Sequence, residues 1–400
     1  MKNDSVIIVG AGPVGVLNAL GLARRGIKVT LLEREESVVE SPRAMVYHWS
    51  VLKGLNELGV LDDALEVGFK KQDYSYLVWS TKEFIYWDLK PLEGLEEFPH
   101  NLHLGQNELA KIALKHLAQY PDVEVHWGTK VTGVSQDGDS VTVHATGPQG
   151  EVDYTAGWAI AADGAGSVMR ESVGLGFEGM TWPERFVATN IRYDFESYGY
   201  RQSVMQIDPV YGAIIAKIDR SNLWRVTYME DESLPIEGVL DRMPAYFKEI
   251  LPGDKDYQLE QFSPYRMHQR SAESYRVGRV LLAGDAAHAT NPTGGLGLTS
   301  GLFDTYVLYP ALAAVIRGEA DDSVLDDYSE KRRKVFLEVA SPQASENKRF
   351  VYGSNDPVRL EQDLDQVRKG LADRELLMKR LTFPSKLQTP PLVPSGAGAV

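Results

Sequence analysis

Apolar runs, broken alternation and helical spacing follow one another along the chain. Val6 to Val9 is an unbroken apolar run, the pattern of a strand buried on both faces in a parallel sheet. Leu17, Leu20 and Ala23 then fall at helical spacing, and Lys28 to Leu32 reads as a second strand ending at Glu33. Gln72 to Leu89 and Phe186 to Tyr228 are rich in Tyr, Trp, Val and Ile with imperfect alternation, which predicts strands of a second, antiparallel sheet. Leu259 to Met267 adds another strand, and EGVLDRMPAYFKEIL reads as a helix in spite of Pro244. Gly301 to Arg317 and Asp326 to Ala340 are predicted helices, and the Pro- and Gly-rich end, FPSKLQTPPLVPSGAGAV, predicts a loose tail.

Three strand patterns run into glycines. The first, SVIIVGAGPVG, places Gly10, Gly12 and Gly15 in G-x-G-x-x-G spacing, with Pro13 opening the helix. Gly10 permits the tight turn, Gly12 lets backbone approach a pyrophosphate, and Gly15 lets helix and strand pack closely. Free N–H groups at the helix start face the phosphates, and Glu33 accepts hydrogen bonds from a ribose diol. The motif alone does not separate NAD from FAD. The second junction is WAIAADGAGSVMR, ending in Asp163-Gly164, and the third is RVLLAGDAAHATNPTGGLGLTSG, with Gly284-Asp285 at the strand tip. Three junctions in one chain suggest one extended ligand lying across several strand ends.

At 400 residues, with 43% hydrophobic and 24% charged, the composition is that of an ordinary globular protein. A net charge of -14 argues against nucleic acid or an anionic membrane as partner. The absence of cysteine excludes disulfides, thiolate metal sites and cysteine nucleophiles. A strand pattern starting at about Ser5 leaves no room for a signal peptide. The longest apolar stretch, Tyr306 to Ile316, is short of the roughly 20 residues of a membrane span. A cytoplasmic protein is expected.

The three ordered motifs resemble those of the group A flavoprotein hydroxylases, the family of p-hydroxybenzoate hydroxylase and phenol hydroxylase, from about Ser5 to Tyr328. The resemblance implies an α/β fold with a Rossmann-like, glutathione-reductase-type FAD-binding domain in three pieces (1–71, 101–179 and 270–345). An antiparallel substrate-binding sheet is inserted between them (72–100 and 180–269), and 346–400 is a helical C-terminal segment with a loose tail. It assigns the ADP half of FAD to Gly10, Gly12, Pro13, Gly15, Glu33 and Arg34, and a ribityl hydroxyl to Asp285. Asp163 serves FAD and, by its placement, NAD(P)H. Backbone from Pro292 through Gly295, Leu296, Gly297 and Leu298 faces the flavin ring, where a helix N-terminus stabilises an anionic reduced flavin. Arg43, in SPRA, matches an Arg near the flavin and pyrophosphate, and Gln106 matches a position at the ribityl chain. After Pro292 the family usually reads Gly-Gln-Gly-x-Asn; here Gly295-Leu296-Gly297-Leu298-Thr299 keeps the backbone role and loses any side-chain role.

The implied reaction is reduction of FAD by NAD(P)H, addition of O2 to give a C4a-hydroperoxide, and oxygen transfer to a phenol or hydroxypyridine. The protein then has to deprotonate the ring hydroxyl and exclude water. His48, five residues after Arg43, is the candidate base, matching a histidine proposed to activate the phenol in 2-hydroxybiphenyl monooxygenase relatives. The alternative is that it caps or packs beside the following helix. Of Tyr193, Tyr198, Tyr200 and Tyr211 in the predicted sheet, Tyr200 and Tyr211 are further catalytic candidates, able to hydrogen-bond a substrate hydroxyl. Arg192, Arg201, Arg225 and Arg266 are possible partners for a substrate carboxylate, and His288 reads as structural. A small aromatic substrate and O2 are the expected partners of a monomer or homodimer. Two other readings are a flavin halogenase, disfavoured because W-x-W-x-I-P is absent, and a non-catalytic FAD-fold escort protein, which would need no coloured flavin.

Overall fold

The computed structural model describes residues 4–40, 42, 44–353 and 355–394. Val6–Val9, apolar throughout, lies buried inside a six-stranded sheet. The strand order is Arg276–Val277, Val280–Leu282, Trp158–Ala161, Val6–Val9, Val29–Leu32 and Val123–His126. All pair in parallel except the Arg276–Val277 edge, which is reversed. Parallel strands need both faces covered. Helix Pro13–Ala23 packs with Gln106–Leu117 and with Leu296–Arg317, and a three-stranded meander over 130–156 shares the same core. Leu296–Arg317 is, among the described residues, the one helix long and apolar enough to cross a membrane, but 83% of its apolar window is buried within the protein.

The second sheet has eight strands in the order His288–Ala289, Gln258–Ala272, Phe177–Arg192, Leu223–Asp231, Ala213–Lys217, Ser203–Ile207, Asp73–Val78 and Glu83–Asp88. It departs from the expected antiparallel pattern at one place: Ser203–Ile207 pairs with Asp73–Val78 in parallel, Ser203 opposite Tyr74. These strands come from distant parts of the chain, so no hairpin dictates their direction. Side chains alternate across the sheet. Trp224, Val226 and Tyr228 pack on helix Val239–Ile250, and Arg225 and Thr227 point to the opposite face.

A short three-stranded sheet, Val46–Tyr47, Asn101–His103 and Phe69–Lys71, leads directly into His48. Helices Ser341–Tyr352, Pro357–Ala372 and Arg374–Leu381 follow the last strand, Leu364 packing on Tyr76 and Ile85 and Leu381 on Trp49 and Tyr74. The end of the chain corrects the sequence reading. Phe383–Leu387 forms a helical turn, Leu387 is fully buried, and the buried Arg332 guanidinium donates to the Leu387 carbonyl at 2.7 Å and Thr389 Oγ1 at 3.0 Å. A buried guanidinium has five donors to satisfy, and this segment satisfies one edge of it. Residues 395–400 lie outside the described residues.

Candidate active site

The three glycine junctions leave the carboxyl ends of three adjacent parallel strands, Val6–Val9, Trp158–Ala161 and Val280–Leu282. Open α/β sheets bind ligands at that edge. One cavity of about 1270 Å³ runs from Gly12 and Glu33 past all three junctions to Tyr74 and Arg225 on the second sheet. It exceeds the roughly 300–1,000 Å³ usual for one small ligand. Within the first junction the glycines differ. A Cβ on Gly15 would stand 1.9 Å from the Gly10 carbonyl oxygen, so that position is closed by packing. A Cβ on Gly12 would meet nothing within 4 Å; its backbone lies bare to the cavity, as do those of Gly164 and Gly166.

Each sequence-predicted residue has a definite setting. Glu33 lines the cavity while its carboxylate accepts the Ala11 N–H at 2.7 Å and the Glu35 N–H at 3.0 Å, fixing the first turn. Arg34 is exposed at the rim and paired with Glu35. Asp163 turns its carboxylate into its own loop, accepting from Ser167 Oγ at 2.5 Å and the Met169 N–H at 3.3 Å, and burial raises its pKa. The loop it shapes, rather than its carboxylate alone, faces the cavity. Buried Arg170 donates to the Ala286 carbonyl at 3.1 Å and so ties the second junction to the third. Asp285 is exposed into the cavity. Beneath it, Asp304 is fully buried and accepts from the Gly284 N–H at 3.0 Å, His288 Nε2 at 2.7 Å and Arg332 Nε at 2.8 Å. Burial would raise the Asp304 pKa, but His288 and Arg332 outweigh it and hold it at about 2. His288 is therefore part of the support. Pro292, Gly295, Leu296, Gly297 and Leu298 all line the cavity, as do Pro13 and Gln106. The helix begins at Leu296, ahead of the predicted Gly301, after Gly294 and Gly295 turn through left-handed φ values of +96° and +71°. Arg43 lies outside the described residues.

At the far end His48 occupies the N-cap position of helix Trp49–Glu57 but makes no side-chain cap bond. Its Nε2 stands 2.8 Å from the Gly294 carbonyl oxygen. A carbonyl only accepts, so Nε2 carries the proton and a neutral ring keeps its lone pair on Nδ1. Burial lowers the His48 pKa, the Gly294 bond opposes this, and Lys71 lowers it further. The imidazole is neutral near pH 7 and lines the cavity.

Tyr200 and Tyr211 need correction. Neither lines the cavity. Tyr200 is 5% exposed, packed against Phe195 and Phe84 on the helix-covered face, and Tyr211 packs toward Tyr246 there. The cavity wall instead holds Tyr74, Trp87, Asn101, Ser203, Arg225 and Tyr265. Tyr74 stacks on Trp87 with ring centroids 4.2 Å apart. Asn101 donates to the Tyr74 hydroxyl and accepts the Trp49 N–H at 2.8 Å, joining the ring wall to the helix behind His48. Of the four candidate arginines, Arg192 pairs with Glu260, Arg201 lies over Tyr86, and Arg266 pairs with Glu232 at the rim. Arg225 alone is buried at the cavity, its Nε donating to Asn190 Oδ1 at 3.0 Å, and burial lowers its pKa to about 10. Tyr74 and Trp87 sit in the aromatic-rich segment read as strands; for Asn101 the sequence held no signal.

Residues 3–341 match a family model described as an FAD binding domain. The chain belongs to the FAD-dependent aromatic monooxygenase family. It is 48% identical over 377 residues to the 6-hydroxy-3-succinoylpyridine 3-monooxygenase HspB of Pseudomonas putida (strain DSM 28022 / S16), covering 92% of this chain and 96% of that one. It is 42% identical over 387 residues to the para-nitrophenol 4-monooxygenase of Pseudomonas sp. (strain WBC-3), covering 96% of each. The crystal structure of p-nitrophenol 4-monooxygenase PnpA from Pseudomonas putida DLL-E4 matches with a TM-score of 0.93 at 40% identity, covering 98% of this chain and all (100%) of that one. The protein is thus a flavoprotein monooxygenase of aromatic rings, with FAD as cofactor and NAD(P)H as the reductant typical of its class. The cavity fits FAD: bare glycine backbone at Gly12 and Gly164, a carboxylate at Asp285 and a helix N-terminus at Leu296 follow one another along it.

Proposed function

We propose that this flavoprotein monooxygenase hydroxylates the ring of a phenol or hydroxypyridine, with His48 as the base that takes the proton of the ring hydroxyl. The observation that carries this reading is the Nε2–H bond of His48 to the Gly294 carbonyl, which leaves the lone pair to Nδ1 on a ring that lines the cavity. The names of the two relatives, a hydroxypyridine and a nitrophenol monooxygenase, agree with a hydroxylated aromatic substrate. In this reading 1–71, 101–179 and 270–345 hold the cofactor. Gly10, Gly12, Pro13, Gly15, Glu33 and Arg34 take its ADP half, and Gln106, Asp163 and Asp285 its middle. The Pro292–Leu298 backbone takes the ring, and Arg43 serves the flavin and pyrophosphate. Segments 72–100 and 180–269 hold the substrate under the helices of 346–400. When bound and reduced by NAD(P)H, FAD would supply the two electrons that activate O2 for transfer of one oxygen atom to the ring. Tyr74 and Trp87 wall the ring substrate from water, and the Gly294 bond fixes the imidazole so that Nδ1 alone accepts the proton. NAD(P)H and O2 come from the cytoplasm, and the unit is a monomer or homodimer.

The test is His48→Ala, with hydroxylated product measured per NAD(P)H consumed. Loss of a general base typically lowers rate about 10²–10⁴-fold. Hydroxylation should fall by that order, FAD binding should persist, and NAD(P)H oxidation should be diverted to hydrogen peroxide. Unchanged product yield and turnover would make His48 a packing residue.

A further inference from the structure

Lys71 and His103 are both fully buried, and neither touches the cavity. Lys71 ends the strand Phe69–Lys71 and His103 ends Asn101–His103, in the small sheet whose third strand delivers His48. His103 Nδ1 is 2.6 Å from the Lys217 carbonyl oxygen, so Nδ1 carries a proton, and Nε2 is left to accept from Lys71 Nζ at 3.0 Å. Lys71 Nζ also stands 4.4 Å from the ring centroid of Tyr74, a residue that lines the cavity. Among the described residues no carboxylate forms an ion pair with Lys71. A buried lysine without a counter-ion is a costly arrangement, and packing alone would be served by methionine.

We propose that Lys71 and His103 are positioning residues that act as a proton-holding counter-charge behind the cavity wall, favouring the ionised form of the ring hydroxyl beside His48. The inference rests on the reading of a phenolic or hydroxypyridine substrate given above. With no anion in the cavity, burial disfavours the charged form of both groups, and at Lys71 only Asp73 opposes it. An anionic ring against Tyr74 and Arg225 reverses that balance, because an ammonium at Lys71 then has a partner. As the ring O–H bond breaks, its proton passes to His48 Nδ1 and on to solvent; where the Lys71 amine is neutral beforehand it takes up one proton from solvent in exchange, so the ring anion is accommodated without net charge. The groups that bear on Lys71 are Asp73, which favours the ammonium, and His103; His48 and Arg225 act from the cavity side, and the Lys217 ammonium is turned away to Glu196.

The probe is 4-nitrophenol bound to the FAD-loaded enzyme without NAD(P)H, its ionisation followed by the yellow absorbance of the phenolate. In the parent the bound probe should ionise about one pH unit or more below its midpoint in Lys71→Met, the shift expected of one buried charge nearby. Lys71→Gln, which keeps a hydrogen bond to His103 but not the charge, should show the same rise. If either variant titrates like the parent, Lys71 is a structural residue and the proposal falls. If the parent binds neither 4-nitrophenol nor a hydroxypyridine probe followed by its own ionisation-dependent absorbance, the reading of a phenolic or hydroxypyridine substrate fails first and takes this inference with it.

Discussion

If His48 is the base, as proposed, the pH dependence of the reaction should report how it is placed. An imidazole works as a base only in its neutral form. Burial keeps its pKa below the usual 6.5 in spite of the Gly294 bond, and any ammonium at Lys71 acts in the same direction. The neutral fraction therefore persists as pH falls past about 6.5, and is lost only when pH drops through the lowered value. The acid limb of kcat/KM for hydroxylation should bend below pH 6.5, measured as product formed at saturating NAD(P)H and O2. A limb at or above 6.5 would mean that His48 is not held as described, or that another group is the base. The Gly294 carbonyl aims this residue, and Asn101, a neighbour that does not titrate, holds both the Trp49 N–H and the Tyr74 hydroxyl and so sets the wall beside the imidazole.

The glycine junctions show at the level of the element how one motif carries two separate requirements. Gly15 is needed for folding, because a Cβ there collides with the Gly10 carbonyl. On the proposed reading Gly12 serves binding, because the space over its backbone is open cavity. Gly12→Val should fold with a thermal midpoint near that of the FAD-free parent yet lose FAD. Gly15→Val should lower stability even without cofactor. Both are read by thermal denaturation of the FAD-free proteins and by flavin content; equal losses of stability in the two variants would contradict the assignment. These junctions were legible in the sequence because each is local: Val6–Val9, Trp158–Ala161 and the acid at position 285 declare themselves within a few residues. The start of the helix at Leu296 was not, since glycines at 295, 297 and 301 argue against helix, and it is packing against the core that extends it there. The parallel pairing of Ser203–Ile207 with Asp73–Val78 was hidden for the opposite reason, both strands being ordinary and their meeting non-local. Tyr200 and Tyr211 were misread because composition marks a strand as aromatic without saying which face each ring takes. Arg225, between Trp224 and Val226, shows that one step along a strand moves a side chain from core to cavity.

On the scale of the whole molecule, Arg332 joins parts of the chain that lie far apart in sequence. Its guanidinium reaches Asp304, which supports the Gly284-Asp285 turn; Ser300 in the helix behind the cofactor site; and Leu387 with Thr389 near the chain end. Phe383, Pro384 and Lys386, in the same C-terminal segment, line the cavity. Removing residues 383–400 would leave Arg332 Nη1 without two acceptors, uncover Leu387's site in the core, and open the cavity wall to water. An unpaired buried donor costs about 1–3 kcal/mol, more when charged, and exposing the core around Leu387 adds to it. The truncated protein should therefore unfold at lower urea concentration than the parent. Water in the cavity should also divert reducing equivalents, so that hydrogen peroxide per NAD(P)H rises and hydroxylated product per NAD(P)H falls. Arg332→Met tests the clasp separately: it leaves the wall residues in the chain but removes one of the three partners of the buried Asp304 carboxylate, leaving the Gly284 N–H and His288, and should lower stability by up to about 3–5 kcal/mol for a broken buried pair. If the truncation matches the parent in both urea midpoint and product yield, the chain end is a passive covering. If it lowers stability yet keeps full product yield, the end serves the fold alone, and the water seal must lie with Tyr74, Trp87 and the helices of 346–382.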